Sequence, residues 1–294
     1  MTKYECRDMR VGELAVSRAL PVAGRRMIGP WCFLDRYGPL TFSAGRPMDV
    51  APHPHIGLQT VTWLLEGEVV HDDSLRIEAI VRPGGVNVMT SGRGIAHAER
   101  TPTANVGRLH GVQLWVALPD RDRHAEPSFE HLVEVPRVEP HGGIVQVFSG
   151  ALAGAASRAR HFSDLVGADI EIHRGGQVGL PLDSRYEHGF VVMAGEAAIE
   201  GERLEPRVLY YLGAGRPDVT LASREGGRVL LVGGPPFPET IVMWWNFVAR
   251  TPDEIAAARD DWEARRRFGE VPAYDGPRTP APGLSRLVAP TPMS

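Results

Sequence analysis

Apolar residues along this chain recur in short, closely spaced blocks rather than at helical intervals. Leu58 to Leu65 (LQTVTWLL) is rich in β-branched and aromatic residues. Glu66-Gly67-Glu68 then turns the chain, and Val69-Val70 resumes it. Arg76 to Arg82 and Val86 to Thr90 predict two more strands separated by Pro83-Gly84-Gly85, and Leu109 to Leu118 predicts another. Residues 119–143 are polar, rich in Pro, Arg and His, and read as loop. Strand patterns return at Ile144 to Phe148, Ala168 to His173, Phe190 to Met193, Val208 to Leu212 and Val229 to Val232. Residues 1–50 are mixed, with turn signals at Gly24, Gly29-Pro30, Gly38-Pro39 and Gly45. Strands this short and regular predict an all-β antiparallel barrel or sandwich, not βαβ units.

The period changes near the end. Thr251-Pro252-Asp253-Glu254 reads as a capping box with Pro at N1. Ile255, Ala258 and Trp262 then share one helical stripe. Arg265, Arg266 and Arg267 suit the negative end of the helix dipole, and Gly269 suits a left-handed cap. The helix is expected to pack on a β domain. Residues 270–294 contain six prolines and predict an extended arm over the surface or a neighbouring subunit.

A weak repeat aligns Gly67 with Gly195, in the hairpins Leu64-Leu65-Glu66-Gly67-Glu68 and Met193-Ala194-Gly195-Glu196, an offset of 195 − 67 = 128. That spacing fits two similar β domains in tandem. The expected division is 1–135, 136–250, and a helix with a Pro-rich tail over 251–294.

Composition narrows the functional classes. The 33 Gly and 25 Pro among 294 residues favour many tight turns. A formal charge of −4 disfavours nucleic acid as a direct ligand. Two cysteines, Cys6 and Cys32, form no metal knuckle and no disulfide framework. No apolar run is long enough to span a membrane and the first residues form no leader, so a soluble cytoplasmic protein is expected.

The candidate chemistry lies in His53-Pro54-His55 and His97-Ala98-Glu99. In a strand, residues i and i+2 point to the same face, so each triplet presents two metal-ligating side chains together. Pro54 biases His53 toward the extended region. Gly92 and Gly94 supply the tight backbone that returns the second pair to the first. Facing into a small barrel, the four side chains can converge on one ion. Nitrogen and oxygen donors with an open position suit Fe(II), Mn, Co, Ni or Zn. His124-Ala125-Glu126 repeats the pattern in a loop where exposure is expected.

This order resembles the two metal motifs of the cupins and, more closely, the pirin family. The likeness is carried by Trp31 to Pro39 (WCFLDRYGP), His53 to Gly67 (HPHIGLQTVTWLLEG), Thr90 to Glu99 (TSGRGIAHAE), His110 to Val116 (HGVQLWV), and Gly233-Gly234-Pro235-Pro236 before the capped helix. It spans about residues 10–269. The resemblance implies two tandem cupin (jelly-roll type) barrels packed together. It implies one divalent metal, foremost Fe(II) with Mn, Ni, Co, Cu or Zn as alternatives, held by His53, His55, His97 and Glu99. The second barrel is expected to be degenerate and metal-free, since the offset sets Pro181 and Asp183 opposite His53 and His55. His188 then reads as a surface or core histidine.

Some pirins act as quercetin 2,3-dioxygenases, so the resemblance implies a flavonol-like aromatic substrate and O2. Glu99 would be both ligand and catalytic proton acceptor, and Gln113 would lie near the substrate. A second implied reading is a non-catalytic, iron-dependent regulatory protein that binds a protein partner. Gln59 stands where pirins usually carry Glu, a change expected to alter the charge around the site. Trp63, Met89 and Trp115 read first as core packing.

Overall fold

The structure, a computed structural model, describes residues 1–43, 45, 47–284 and 287. It contains two β-sandwiches built to the same plan, with antiparallel ladders throughout both. In the first, a seven-stranded sheet runs in the order Ser128–Leu132, Val86–Thr90, Leu58–Glu66, Arg108–Ala117, Trp31–Thr41, Leu14–Leu20, Arg7–Val11. It faces a four-stranded sheet ordered Asp49–His55, Ile95–Arg100, Val69–Asp73, Glu78–Val81. In the second, Val208–Leu212, Glu187–Gly195, Gly227–Gly234, Val166–Ile172 and Gly143–Leu152 repeat the central order. Gln177–Pro181, Asp218–Ala222, Ala198–Ile199 and Glu202–Arg203 repeat the smaller sheet.

One edge strand crosses between the halves. Thr2–Glu5 pairs with Val208–Leu212 of the second sandwich, and Ser128–Leu132 takes the matching place beside Val86–Thr90 in the first. The Gly67 and Gly195 turns end equivalent strands, Leu58–Glu66 and Glu187–Gly195, as the repeat predicts.

The strand Leu58–Glu66 shows no clean alternation of apolar and polar residues because both its faces are covered. Val61, Trp63 and Leu65 join Val112, Leu114, Phe148, Val191, Met193, Leu230 and Val232 in a layer between the sandwiches. Thr60, Thr62 and Leu64 point the other way, into the first barrel. Polar pins cross the layer: Trp63 Nε1 donates to Asp169 Oδ2 at 2.8 Å, and Trp31 Nε1 donates to the carbonyls of Val166 and Gly233. Inside the second barrel, Val178, Leu180, Phe190, Val192, Tyr210, Val219, Leu221 and Leu231 fill the space with hydrocarbon.

The helix is Pro252–Glu263, with Thr251 accepting from Glu254 N and with Ile255, Ala258 and Trp262 buried, as the pattern predicts. It packs on the outer side of the metal-motif sheet through Ile56, Ala96, Ala98, Phe247 and Ala249.

Several expectations are corrected. The helix ends before the arginines: its last turn holds no basic residue, and Arg265 and Arg267 adopt left-handed φ in the following turn. They serve instead in local pairs, Arg266 with Asp261 and Arg265 with Glu270. The strand expected from Arg76 begins at Glu78, because Asp73 Oδ1 accepts from Leu75 N and Ile77 N and holds a turn there. The 119–143 stretch is not all loop: it contains the half-buried edge strand Ser128–Leu132 and the short strand Arg137–Val138. The Pro-rich arm is extended over the barrel and helix, with Thr279 N donating to Pro52 O and Trp262 Nε1 to Thr279 O. Its residues 285, 286 and 288–294 lie outside the described residues. Among the described residues no helix is long and apolar enough to cross a membrane.

Candidate metal centre

Two neighbouring strands of the smaller sheet carry the motifs. Ile95–Arg100 pairs with Asp49–His55 so that His97 lies opposite His53 and Ile95 opposite His55. The return is set by Gly92 at φ 48°, where a Cβ would sit 1.9 Å from Ala125 O. Only glycine lets the chain pass there. The register shifts between His97 and Glu99, a bulge that re-aims one side chain of the pair.

His53, His55 and His97 are buried, and their ligand atoms lie within 4.8 Å of one another. His55 Nε2 and His97 Nε2 are 3.1 Å apart. The outward nitrogens decide which ring atoms are free. His53 Nδ1 meets Ala51 O and His55 Nδ1 meets Asn246 O, each at 2.9 Å. A carbonyl only accepts, so both Nδ1 atoms carry the proton and both Nε2 lone pairs face the pocket. Burial pulls the His53 pKa down to about 4 and holds His55 and His97 well below the usual imidazole range. The rings are therefore neutral, the form that ligates metal. Two Nε2 lone pairs so close repel unless a cation lies between them. Two metal–nitrogen bonds of about 2.1 Å at roughly a right angle span about 3 Å. The residues therefore fit a divalent ion.

Glu99 is buried in the same pocket, yet its carboxylate is not part of the tight histidine group. Burial raises its pKa, while His71 and the Thr62 hydroxyl oppose the rise. Thr62 Oγ1 lies 2.9 Å from Gln113 Oε1 and 3.3 Å from Glu99 Oε1. One hydroxyl proton cannot serve both acceptors. The proton therefore goes to one acceptor at a time: to Glu99 while its carboxylate is ionised, and to Gln113 once Glu99 has taken up a proton and donates to Thr62 in turn.

The pocket encloses about 80 Å³ and is also lined by Val11, Leu14, Val16, Phe33, Met48 and Trp115. Gln113 and Trp115 line it from one strand face, as their spacing predicts. Phe33 stacks on Trp115 with ring centres 4.0 Å apart.

Other named residues lie elsewhere. Gln59 is on the opposite face of its strand, so its expected influence on the charge around the site is corrected. Its Nε2 donates to Thr90 Oγ1 and Arg160 O, and its Oε1 accepts from His161 Nδ1. Trp63 belongs to the inter-sandwich layer and Met89 is buried outside the pocket lining. His124 is exposed and His188 is buried beside Tyr186, away from any ligand group. Pattern reading misses His71 and Asp73, which are buried directly behind His97. The signal was available: His71-Asp72-Asp73 is a third i, i+2 pair, on the strand next to the His97 strand.

Two tandem barrels, one with converging histidines and one filled with hydrocarbon, define a bicupin with a single candidate centre among the described residues. Residues 13–116 match the Pirin family and residues 167–269 match the Pirin C-terminal cupin domain. A Pseudomonas aeruginosa protein provisionally named a quercetin 2,3-dioxygenase is 45% identical over 93% of this chain and 87% of its own. A Caulobacter vibrioides pirin-like protein is 37% identical over 90% of this chain and 93% of its own. The crystal structure of a quercetin 2,3-dioxygenase from Acinetobacter baumannii superimposes with a TM-score of 0.94 at 42% identity, covering 97% of both chains. The chain belongs to the pirin family.

Proposed function

We propose that this pirin is a metal-dependent dioxygenase of flavonol-type substrates, with His53, His55, His97 and Glu99 holding one divalent ion, foremost Fe(II). The observation that carries the reading is the buried histidine triad, whose ligand atoms lie within 4.8 Å of one another at a pocket with mostly apolar walls. The domain reading follows: residues 1–135 carry the site, 136–250 form the metal-free barrel, and 251–294 the helix and tail. Thr2–Glu5 and the hairpin Val242–Ala249 cross that division.

When bound, the ion supplies Lewis acidity and, as iron, redox chemistry toward O2. Glu99 takes the proton of the substrate 3-hydroxyl; burial favours this by raising its basicity, and the ion's charge opposes it. Thr62 and Gln113 extend the hydrogen-bonded path from Glu99. With its Oε1 taken by Thr62, Gln113 keeps its amide N–H groups for a substrate oxygen. Phe33 and Trp115 present an apolar wall and exclude water. A volume of about 80 Å³ is well below that of a whole drug-sized ligand site. Only the oxygen-bearing edge of a flavonol enters, with its remaining rings outside.

The test is purified protein of measured metal content, incubated with quercetin under air. Flavonol loss with O2 uptake and carbon monoxide release supports the reading. Bound metal with neither loss nor uptake overturns it and favours the regulatory, partner-binding alternative.

A further inference from the structure

His97 differs from the other two histidines in what stands behind it. His53 and His55 are each held by a backbone carbonyl, a fixed acceptor. His97 Nδ1 instead meets another imidazole nitrogen, Nδ1 of His71, at 3.3 Å. A histidine nitrogen either donates or accepts, so the contact alone leaves the His97 tautomer undetermined. The next link determines it. His71 Nε2 is 3.0 Å from Asp73 Oδ2. Asp73 is itself held, because its Oδ1 accepts from Leu75 N and Ile77 N at 2.8 and 3.0 Å. A carboxylate oxygen accepts, so the neutral His71 ring carries its proton on Nε2 and leaves Nδ1 as a lone pair. His97 must then donate from Nδ1, which leaves its Nε2 free toward the pocket. The His71 ring is clamped by Phe129, stacked at 4.2 Å with planes 15° apart. All three side chains of the chain are buried.

We propose that Asp73 and His71 are positioning residues for the metal centre: they set the tautomer and aim of His97 so that its Nε2 is a ligand. The inference rests on the metal reading above, and it assigns to two residues outside the ligand set a share of the ion's affinity. Ligand-supporting groups of this kind are commonly worth 10- to 100-fold in metal affinity. The arrangement makes a sharp demand on Asp73. In Asp73→Asn, the amide oxygen can still cap the turn, but the amide N–H groups then face His71 Nε2. His71 must accept there and carry its proton on Nδ1, against the Nδ1 proton of His97. One of the two contacts is lost, or His97 moves its proton to Nε2 and ceases to be a ligand.

The experiment uses the full chain loaded with Co(II) alone. Dissociation constants are measured by chelator competition for wild type, Asp73→Asn and His71→Phe, the last keeping a ring against Phe129. In parallel, proton NMR of the Co(II) protein reads the exchangeable Nδ1–H signals of the ligating imidazoles, which a loss of general stability would not change selectively. Wild type is expected to give three such signals. Both variants should bind Co(II) 10- to 100-fold more weakly and lose or shift one signal while two stay in place. Three unshifted signals and affinities within twofold of wild type in either folded variant overturn the inference. Absence of Co(II) binding by the wild-type chain would instead overturn the metal reading itself. Should His71→Phe not fold, Asp73→Asn, which differs by one atom type, decides alone.

Discussion

His55 Nε2 faces His97 Nε2 across 3.1 Å with no proton to share, because each ring holds its proton on the far nitrogen. The folded chain thus carries a repulsion that a cation relieves, and the site should be coupled to stability. Divalent metal is expected to raise Tm: at a free concentration 100-fold above Kd the linkage is about 2.7 kcal/mol, or roughly 4–5 °C for a chain of 294 residues. His55→Ala and His97→Ala should abolish the metal-induced rise while leaving the apo-protein folded, as calorimetry with and without Co(II) would reveal.

The apo-protein should weaken in mild acid. Burial lowers the His53 pKa to about 4, and His161 also falls to about 4 by burial. The unfolded chain takes up these protons near pH 6.5 and the folded chain only near pH 4, so protonation favours unfolding across that window. Stability present above pH 6.5 is lost as pH falls toward 4, by about 2 kcal/mol at pH 5 for His53 alone. Urea unfolding at pH 7 and pH 5 checks the sign; equal midpoints would refute it.

Replacement of Glu99 by Gln keeps the shape of the side chain and removes the proton acceptor. Flavonol turnover at equal metal loading is expected to fall by at least 100-fold. Turnover equal to wild type would remove the base role from Glu99.

Gln113→Leu removes one donor facing the substrate while leaving the histidines untouched. A fall in kcat/KM of about tenfold, the worth of one hydrogen bond to a charged group, is expected with unchanged metal content. A loss of metal would mean that Gln113 supports the ligands rather than the substrate.

Asp169 joins the sandwiches by accepting from Trp63 Nε1 and pairing with Arg228, while itself almost wholly buried. Asp169→Ala leaves Trp63 Nε1 unmet and Arg228 with only the Gln146 side chain, and a loss of about 3 kcal/mol is expected in denaturant titration.

Much of this architecture is legible in the sequence because strand alternation is a local property. Val86–Thr90 and Val208–Leu212 begin and end where their β-branched blocks do. The shared face of His53 and His55 follows from the two-residue period, and their meeting with His97 is implied by the order of the motifs and the resemblance they carry. What stays hidden depends on distant partners. Ser128–Leu132 is only half-buried at a sheet edge, so its residues carry little apolar contrast. The opening strands Thr2–Glu5 and Arg7–Val11 are mostly exposed for the same reason. His71 and Asp73 gain their meaning only when the His97 strand is laid beside theirs. The face of Gln59 is equally hidden, since a strand covered on both sides gives no polar side to tell inside from outside.

The carbonyl that holds His55 belongs to Asn246, 191 positions further along the chain. A ribosome therefore releases both sandwiches, and the hairpin beyond them, before that imidazole meets its lasting partner. A nascent or clipped protein ending near residue 240 would carry every proposed ligand and still present His55 with its ring unset. The setting of this imidazole then depends on the chain having been made as far as the Val242–Ala249 hairpin.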